Sequence, residues 1–162
     1  VGINWAHARI PDNAGKQPLS QRIIDGAPDA YFASLPVNAM VAAMKQVEIP
    51  AAVSYTAGTY VCNDVMYQVL HALATRFPET RGTFLHVPFA TEQVAEKNAA
   101  AAEKAAAGER STAGEKGHAA GEKFRPVPSM PLEMMTRGLQ VALEAALATD
   151  VDLADSESGT TC

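Results

Sequence analysis

The sequence predicts an α/β fold of three layers, α/β/α, with helices on both faces of a mostly parallel, twisted sheet. Two observations carry that prediction. Apolar residues recur at helical spacing over residues 37–47 and 59–77, the mark of amphipathic helices. Short apolar runs of strand character stand at residues 50–55 and 82–87, so strands and helices alternate along the chain. Such alternation buries a parallel or mixed sheet under helices on both sides. A chain of 162 residues suffices for one domain with a real core.

The elements follow in order. Residues 1–10 read as a strand or extended segment, and the turn-forming residues of 11–18 as a loop. Residues 30–35 read as a short strand or extended segment. Val37, Met40, Val41, Met44 and Val47 form one helical stripe, ended by Pro50. A strand at 50–55 leads through a glycine turn into a helix at 59–77, whose stripe is Val65, Met66, Val69, Leu70, Leu73 and Phe77. A strand at 82–87 is ended by Pro88. Residues 94–127 are an insertion rich in Ala, Glu, Lys and Gly, with Ala-Gly-Glu recurring at Ala107, Ala113 and Ala120. Large apolar side chains are almost missing there, and each interior glycine costs a helix about 1 kcal/mol. The expected form is a helix extension to about Ala107, then a mobile linker. A last helix opens at Ser129 as cap and Pro131 in the first turn, with Leu132, Met135, Leu139, Leu143 and Ala146 as its buried stripe. Residues 150–162 are acidic and rich in small residues, and are expected to be a disordered tail. Residues 1–162 are read as a single domain carrying this insertion and tail.

Composition excludes several classes. The net charge of −5, with no basic face, argues against nucleic acid as a partner. No run is long and apolar enough to span a membrane, and no secretory signal opens the chain. Two cysteines, one of them the terminal Cys162, give no disulfide framework and suit a reducing cytoplasm. Four scattered histidines and one internal cysteine build no standard zinc site, so neither metal nor other cofactor is expected.

Cys62 is the most informative residue. It lies in Ser54-Tyr-Thr-Ala-Gly-Thr-Tyr-Val-Cys62-Asn63, after a turn and at the start of a predicted helix. Backbone N–H groups there lack helical acceptors and the macrodipole is positive. Both favour an anionic sulfur, which is the nucleophilic form. On position alone Cys62 reads equally as a buried structural cysteine. His86, in Gly82-Thr-Phe-Leu-His-Val-Pro-Phe89, supplies the imidazole that a cysteine peptidase needs to take and return a proton. Taken alone it also reads as an ordinary core or surface histidine. In α/β sheets active sites lie at the carboxyl ends of strands, and both residues stand near such ends.

Three runs together resemble a known family. Residues 54–63, Phe84-Leu-His86-Val-Pro88, and Ala8-Arg-Ile-Pro-Asp-Asn13 look like pyroglutamyl peptidase type I, cysteine peptidases that remove an N-terminal pyroglutamyl residue. The motifs come in the family's order and spacing over residues 1–93, with a weaker match at 128–148. The resemblance implies a phosphorylase/hydrolase-like fold, Cys62 as nucleophile and His86 as general base and then acid, through an acyl-thioester. It implies that the Cys62 N–H and Arg9 serve the oxyanion, and that Ile10, Tyr60 and Val61 line the slot for the lactam ring. Tyr60 departs from the family's usual Phe. Arg9 reads otherwise as a salt-bridge residue, and Tyr60 and Val61 as core. Asn63 and Tyr67 are read as structural, and His7 and His71 have no motif partners.

The family's catalytic Glu aligns two positions before Val1, together with its first strand and a loop bearing Gly and Phe. The resemblance therefore implies an N-terminally truncated chain. The substrates implied are peptides with N-terminal pyroglutamate, the location cytoplasmic, and the assembly a homotetramer by analogy. Two other readings stand beside the peptidase. One is a catalytically inactive truncated homologue or partial subunit. The other is a nucleoside-phosphorylase-like binding domain, which calls for a phosphate-binding Gly-rich loop that the sequence lacks.

Overall fold

The computed structural model describes residues 1–95, 99, 103 and 127–154. They form β1 (Gly2–Ile3), β2 (Ala30–Tyr31), α1 (Val37–Gln46), α2 (Val61–Arg76), β3 (Phe89–Ala90), a helix α3 beginning at residues 91–95, β4 (Ser129–Met130) and α4 (Leu132–Ala148). The chain divides into two compact units, Val1–Leu85 with Gln140–Cys162, and His86–Leu139. Most of the 94–127 insertion, and residues 155–162 of the expected tail, lie outside the described residues.

In the first unit β1 and β2 pair antiparallel, Gly2 opposite Tyr31 and Ile3 opposite Ala30. Helix α2 lies against this pair because Gly2 has no side chain. A Cβ there would come within 3.1 Å of the Tyr67 backbone. Met66, Tyr67 and Leu70 are the buried side chains of the contact face, with Asn63 at its N-terminal end. A separate cluster joins Met40 of α1 to Ala142 and Ala146 of α4, with Leu35, Met44 and Ala145 around it. The two alanines let the helices approach closely.

Charged groups distant in sequence finish these helices. Pro36, at the start of α1, makes no side-chain cap. The Asp152 carboxylate accepts the N–H groups of Asn38 at 3.1 Å and Ala39 at 2.9 Å instead. Asp152 is thus ordered on α1, although it lies inside the segment expected to be a disordered tail. Helix α4 has no basic residue in its last turn. The Arg81 guanidinium donates to the carbonyls of Ala146 and Thr149, both at 3.2 Å, and supplies the cation there. Helix α1 ends through Glu48, whose φ of 61° is the left-handed conformation usual just past a helix end.

In the second unit β3 and β4 pair parallel, Phe89 opposite Ser129 and Ala90 opposite Met130. The Gln93 side chain accepts the Ala90 N–H at 2.9 Å, half of a capping box that starts α3. Val94 is buried on that helix.

Several expectations need correction. Residues 50–55 and 82–87 form no strand with any described residue. Their composition suits a strand, but a ladder requires a partner backbone. The parallel pairing appears just beyond the second run, at Phe89–Ala90. On α2 the stripe is rotated: Val65 and Val69 are each 46% exposed, while Asn63 and Tyr67 are fully buried. The polar bonds described below turn that face inward. On α4 Leu132, Leu139 and Leu143 are exposed, and Val141, Ala142 and Ala146 are buried with Met135. Ser129 belongs to β4 and does not cap α4. Among the described residues, no helix is long and apolar enough to cross a membrane.

Candidate active site

Gly58, with φ of 75°, turns the chain into α2. Tyr60 is the N-cap, in extended conformation and without a side-chain cap bond, and its carbonyl accepts the Asp64 N–H at 2.9 Å. Cys62 is therefore the second residue of the helix. It is half-buried and is a thiol rather than half of a disulfide. The N–H groups of Val61, Cys62 and Asn63 have no acceptor inside the helix. The Cys62 thiol thus stands in the first turn, at the positive end of the helix macrodipole.

The residues flanking Cys62 hold residues 3–11 on both sides. Ahead of it, Thr59 accepts the His7 N–H at 2.8 Å through its carbonyl and donates its hydroxyl to the His7 carbonyl at 3.1 Å. The Tyr60 hydroxyl reaches the Pro11 carbonyl at 3.5 Å. Behind it, Asn63 donates to the carbonyls of Ile3 and Trp5 and accepts the Ile3 N–H. Arg9 and Ile10 lie between the two tethered points His7 and Pro11. Four of the residues singled out in the sequence (Arg9, Ile10, Tyr60 and Val61) are thus brought to the turn that holds Cys62. All four are exposed, Ile10 to 63% and Val61 to 51%. Tyr60 and Val61 are accordingly not core residues. Arg9 makes no salt bridge among the described residues, so its structural alternative finds no partner there.

His86 is exposed and opens the second unit, whereas Cys62 belongs to the first. Its run starts from a fixed point. Gly82 exchanges hydrogen bonds with Ser34, 2.9 Å from the Ser34 N–H to the Gly82 carbonyl and 2.9 Å from the Gly82 N–H to Ser34 Oγ. A side chain at Gly82 would collide with Leu73 of α2.

The sequence reading gave Asn63 and Tyr67 structural roles without partners and gave His71 none; the structure supplies the partners. Asn63, Tyr67 and His71, four apart on α2, each bond the N-terminal segment. The Tyr67 hydroxyl donates to the Pro28 carbonyl at 2.6 Å, and His71 Nδ1 shares a 2.9 Å hydrogen bond with the Tyr31 hydroxyl. Their spacing of four was the available signal. Burial, with Tyr31 nearby, pushes the Tyr67 phenol above its ordinary value. Among the described residues, no three His, Cys, Asp or Glu are grouped to hold a metal ion.

A family model for pyroglutamyl peptidase matches residues 1–113. The chain belongs to the pyroglutamyl peptidase family. Pyrrolidone-carboxylate peptidase of Enterococcus faecalis is 41% identical over 161 residues, 99% of this chain and 62% of that protein. The Streptomyces coelicolor protein of the same name is 56% identical over 101 residues, 62% of this chain and 47% of that protein. A crystal structure of pyroglutamyl peptidase I from Bacillus amyloliquefaciens matches with a TM-score of 0.75 at 34% identity, covering 96% of this chain and 60% of that one. A mutant pyrrolidone carboxyl peptidase from Pyrococcus furiosus matches with a TM-score of 0.72 at 34% identity, covering 93% and 61%. The α/β class read from the sequence is therefore that of its structural relatives. The chain spans about three fifths of their length, and less of the Streptomyces protein.

Proposed function

We propose that this member of the pyroglutamyl peptidase family acts as a cysteine peptidase that removes N-terminal pyroglutamate from peptides. Cys62 is the nucleophile in this reading. Its thiolate adds to the pyroglutamyl carbonyl, and the tetrahedral adduct collapses with departure of the peptide amine, which takes a proton from the His86 imidazolium. Water, deprotonated by His86, then hydrolyses the acyl-thioester and releases pyroglutamic acid and the thiol. The Cys62 N–H and Arg9 would stabilise the oxyanion. Ile10, Tyr60 and Val61 would wall a slot for the neutral lactam, which an apolar site with few hydrogen bonds suits.

The observation that carries this reading is the first turn of α2. A thiol stands there, and the residues on either side of it tether the run bearing Arg9 and Ile10. The support for His86 is its motif, which lies within the residues that the family model matches. Residues 1–162 would act as one peptidase domain needing no cofactor. A cytoplasmic location and a homo-oligomer, a tetramer by analogy, rest on the family alone.

The test is release of aminomethylcoumarin from its pyroglutamyl amide by the protein extended upstream of Val1 over the family's Glu position. Hydrolysis blocked by iodoacetamide is expected, abolished by Cys62→Ser and untouched by Cys162→Ser, since a hydroxyl is a far weaker nucleophile than a thiolate at neutral pH. No hydrolysis, or equal losses in the two variants, would sink the assignment.

A further inference from the structure

We infer that Asn63 is a positioning residue: it sets the run carrying Arg9 and Ile10 against the first turn of α2, and thereby the surroundings of Cys62. The inference rests on the proposed role of Cys62. Asn63 follows Cys62 directly and its side chain is completely buried. Both amide hydrogens and the amide oxygen are used. Nδ2 donates to the Ile3 carbonyl at 2.9 Å and the Trp5 carbonyl at 3.0 Å, and Oδ1 accepts the Ile3 N–H at 2.8 Å. One side chain thus satisfies three backbone groups some sixty residues away in sequence.

From that anchor the run continues under constraint. Ala6 exchanges backbone bonds with Gln21, His7 is held by Thr59, and the Ala8 N–H donates to the Pro18 carbonyl at 2.8 Å. Gln17 Nε2 donates to the Ala8 carbonyl at 3.1 Å. Arg9 and Ile10 therefore leave a stem whose position is referred back to Asn63 of α2, directly after Cys62, and to Thr59 in the turn ahead of the helix. Tyr67 offers the contrast. It lies one turn further along the same helix face and also bonds the N-terminal segment, but at Pro28, well along the chain from Arg9. Loss of the Tyr67 bond weakens the attachment of the segment. Loss of the Asn63 bonds moves the end that carries Arg9.

The experiment compares Asn63→Ser, Asn63→Asp, Thr59→Val and Tyr67→Phe in a Cys162→Ser background. It reads the thermal midpoint, kcat and KM for the pyroglutamyl coumarin amide, and the rate of Cys62 alkylation by iodoacetamide. Asn63→Ser is expected to lose about 100-fold in kcat/KM, the scale of a misplaced group at a reacting centre, and to change the alkylation rate. Asn63→Asp should lose as much, because a carboxylate faces two carbonyl oxygens. Tyr67→Phe should lower the midpoint comparably and leave both rates near wild type. Thr59→Val keeps the backbone bond to His7 and loses only the hydroxyl contact, so it should show a smaller shift in the same direction. It carries the test if Asn63→Ser does not fold. Equal losses in the Asn63 and Tyr67 variants, or unchanged rates in Asn63→Ser and Thr59→Val, overturn the inference. If the wild-type protein extended over the family's Glu position does not hydrolyse the amide, the peptidase reading fails. Positioning is then judged on alkylation, and a rate in Asn63→Ser equal to that in Tyr67→Phe refutes it.

Discussion

Tyr67 shows how one side chain links burial to pH. Its phenol is fully buried and donates to the Pro28 carbonyl, and burial raises its pKa above the ordinary value near 10. An acid whose folded pKa is raised binds its proton more tightly in the native state. Its contribution to stability is fully present below about pH 10 and is lost as pH rises through the folded value. Urea unfolding from pH 8 to 11 is expected to show an alkaline fall in stability that Tyr67→Phe makes shallower. The same variant should lower the neutral-pH plateau by about 1 kcal/mol, the net worth of one hydrogen bond. Parallel alkaline limbs in the two proteins would show that Tyr67 ionises no differently in the folded and unfolded chains. Cys62, His86 and Arg9 are proposed at this scale because each sits in a short motif. The grip of Asn63 was not legible, since its partners, Ile3 and Trp5, are about sixty residues away.

The helices were readable as elements, and the strands only in part: β1 and β2 fall inside residues 1–10 and 30–35, both read as strand or extended. A helix bonds within itself, so the stripe Val37, Met40, Val41, Met44 and Val47 announces α1 within a residue of its observed end. A strand depends on a partner backbone, and residues 50–55 and 82–87 have strand composition without one among the described residues. Burial on α2 and α4 was misjudged for a related reason. Which face turns inward is decided by contacts with Gly2 on α2 and with Met40 on α4, not by apolarity alone. The acidic composition of the C-terminal segment concealed Asp152, whose carboxylate caps α1. Asp152→Ala is expected to cost about 1 kcal/mol, as loss of a helix cap does. That should lower the melting temperature by about 2–4 °C. Asp152→Asn, which keeps an oxygen acceptor, should cost less. A melting temperature unchanged in Asp152→Ala would show that the cap adds nothing to stability.

For the whole molecule the family was the most legible property, because three motifs stand in order along the chain and the family model spans all of them. The chemistry proposed for it converges on one atom, the sulfur of Cys62. The most direct measurement is covalent labelling by a pyroglutamyl chloromethyl ketone, with the adduct located by peptide mapping and a prolyl chloromethyl ketone as control. The prolyl compound has the ring but a charged amine in place of the lactam. The account predicts rapid alkylation of Cys62 by the pyroglutamyl reagent, slow alkylation by the prolyl one, and no comparable labelling of Cys162. Equal labelling by both reagents, or an adduct on Cys162 rather than Cys62, would contradict it.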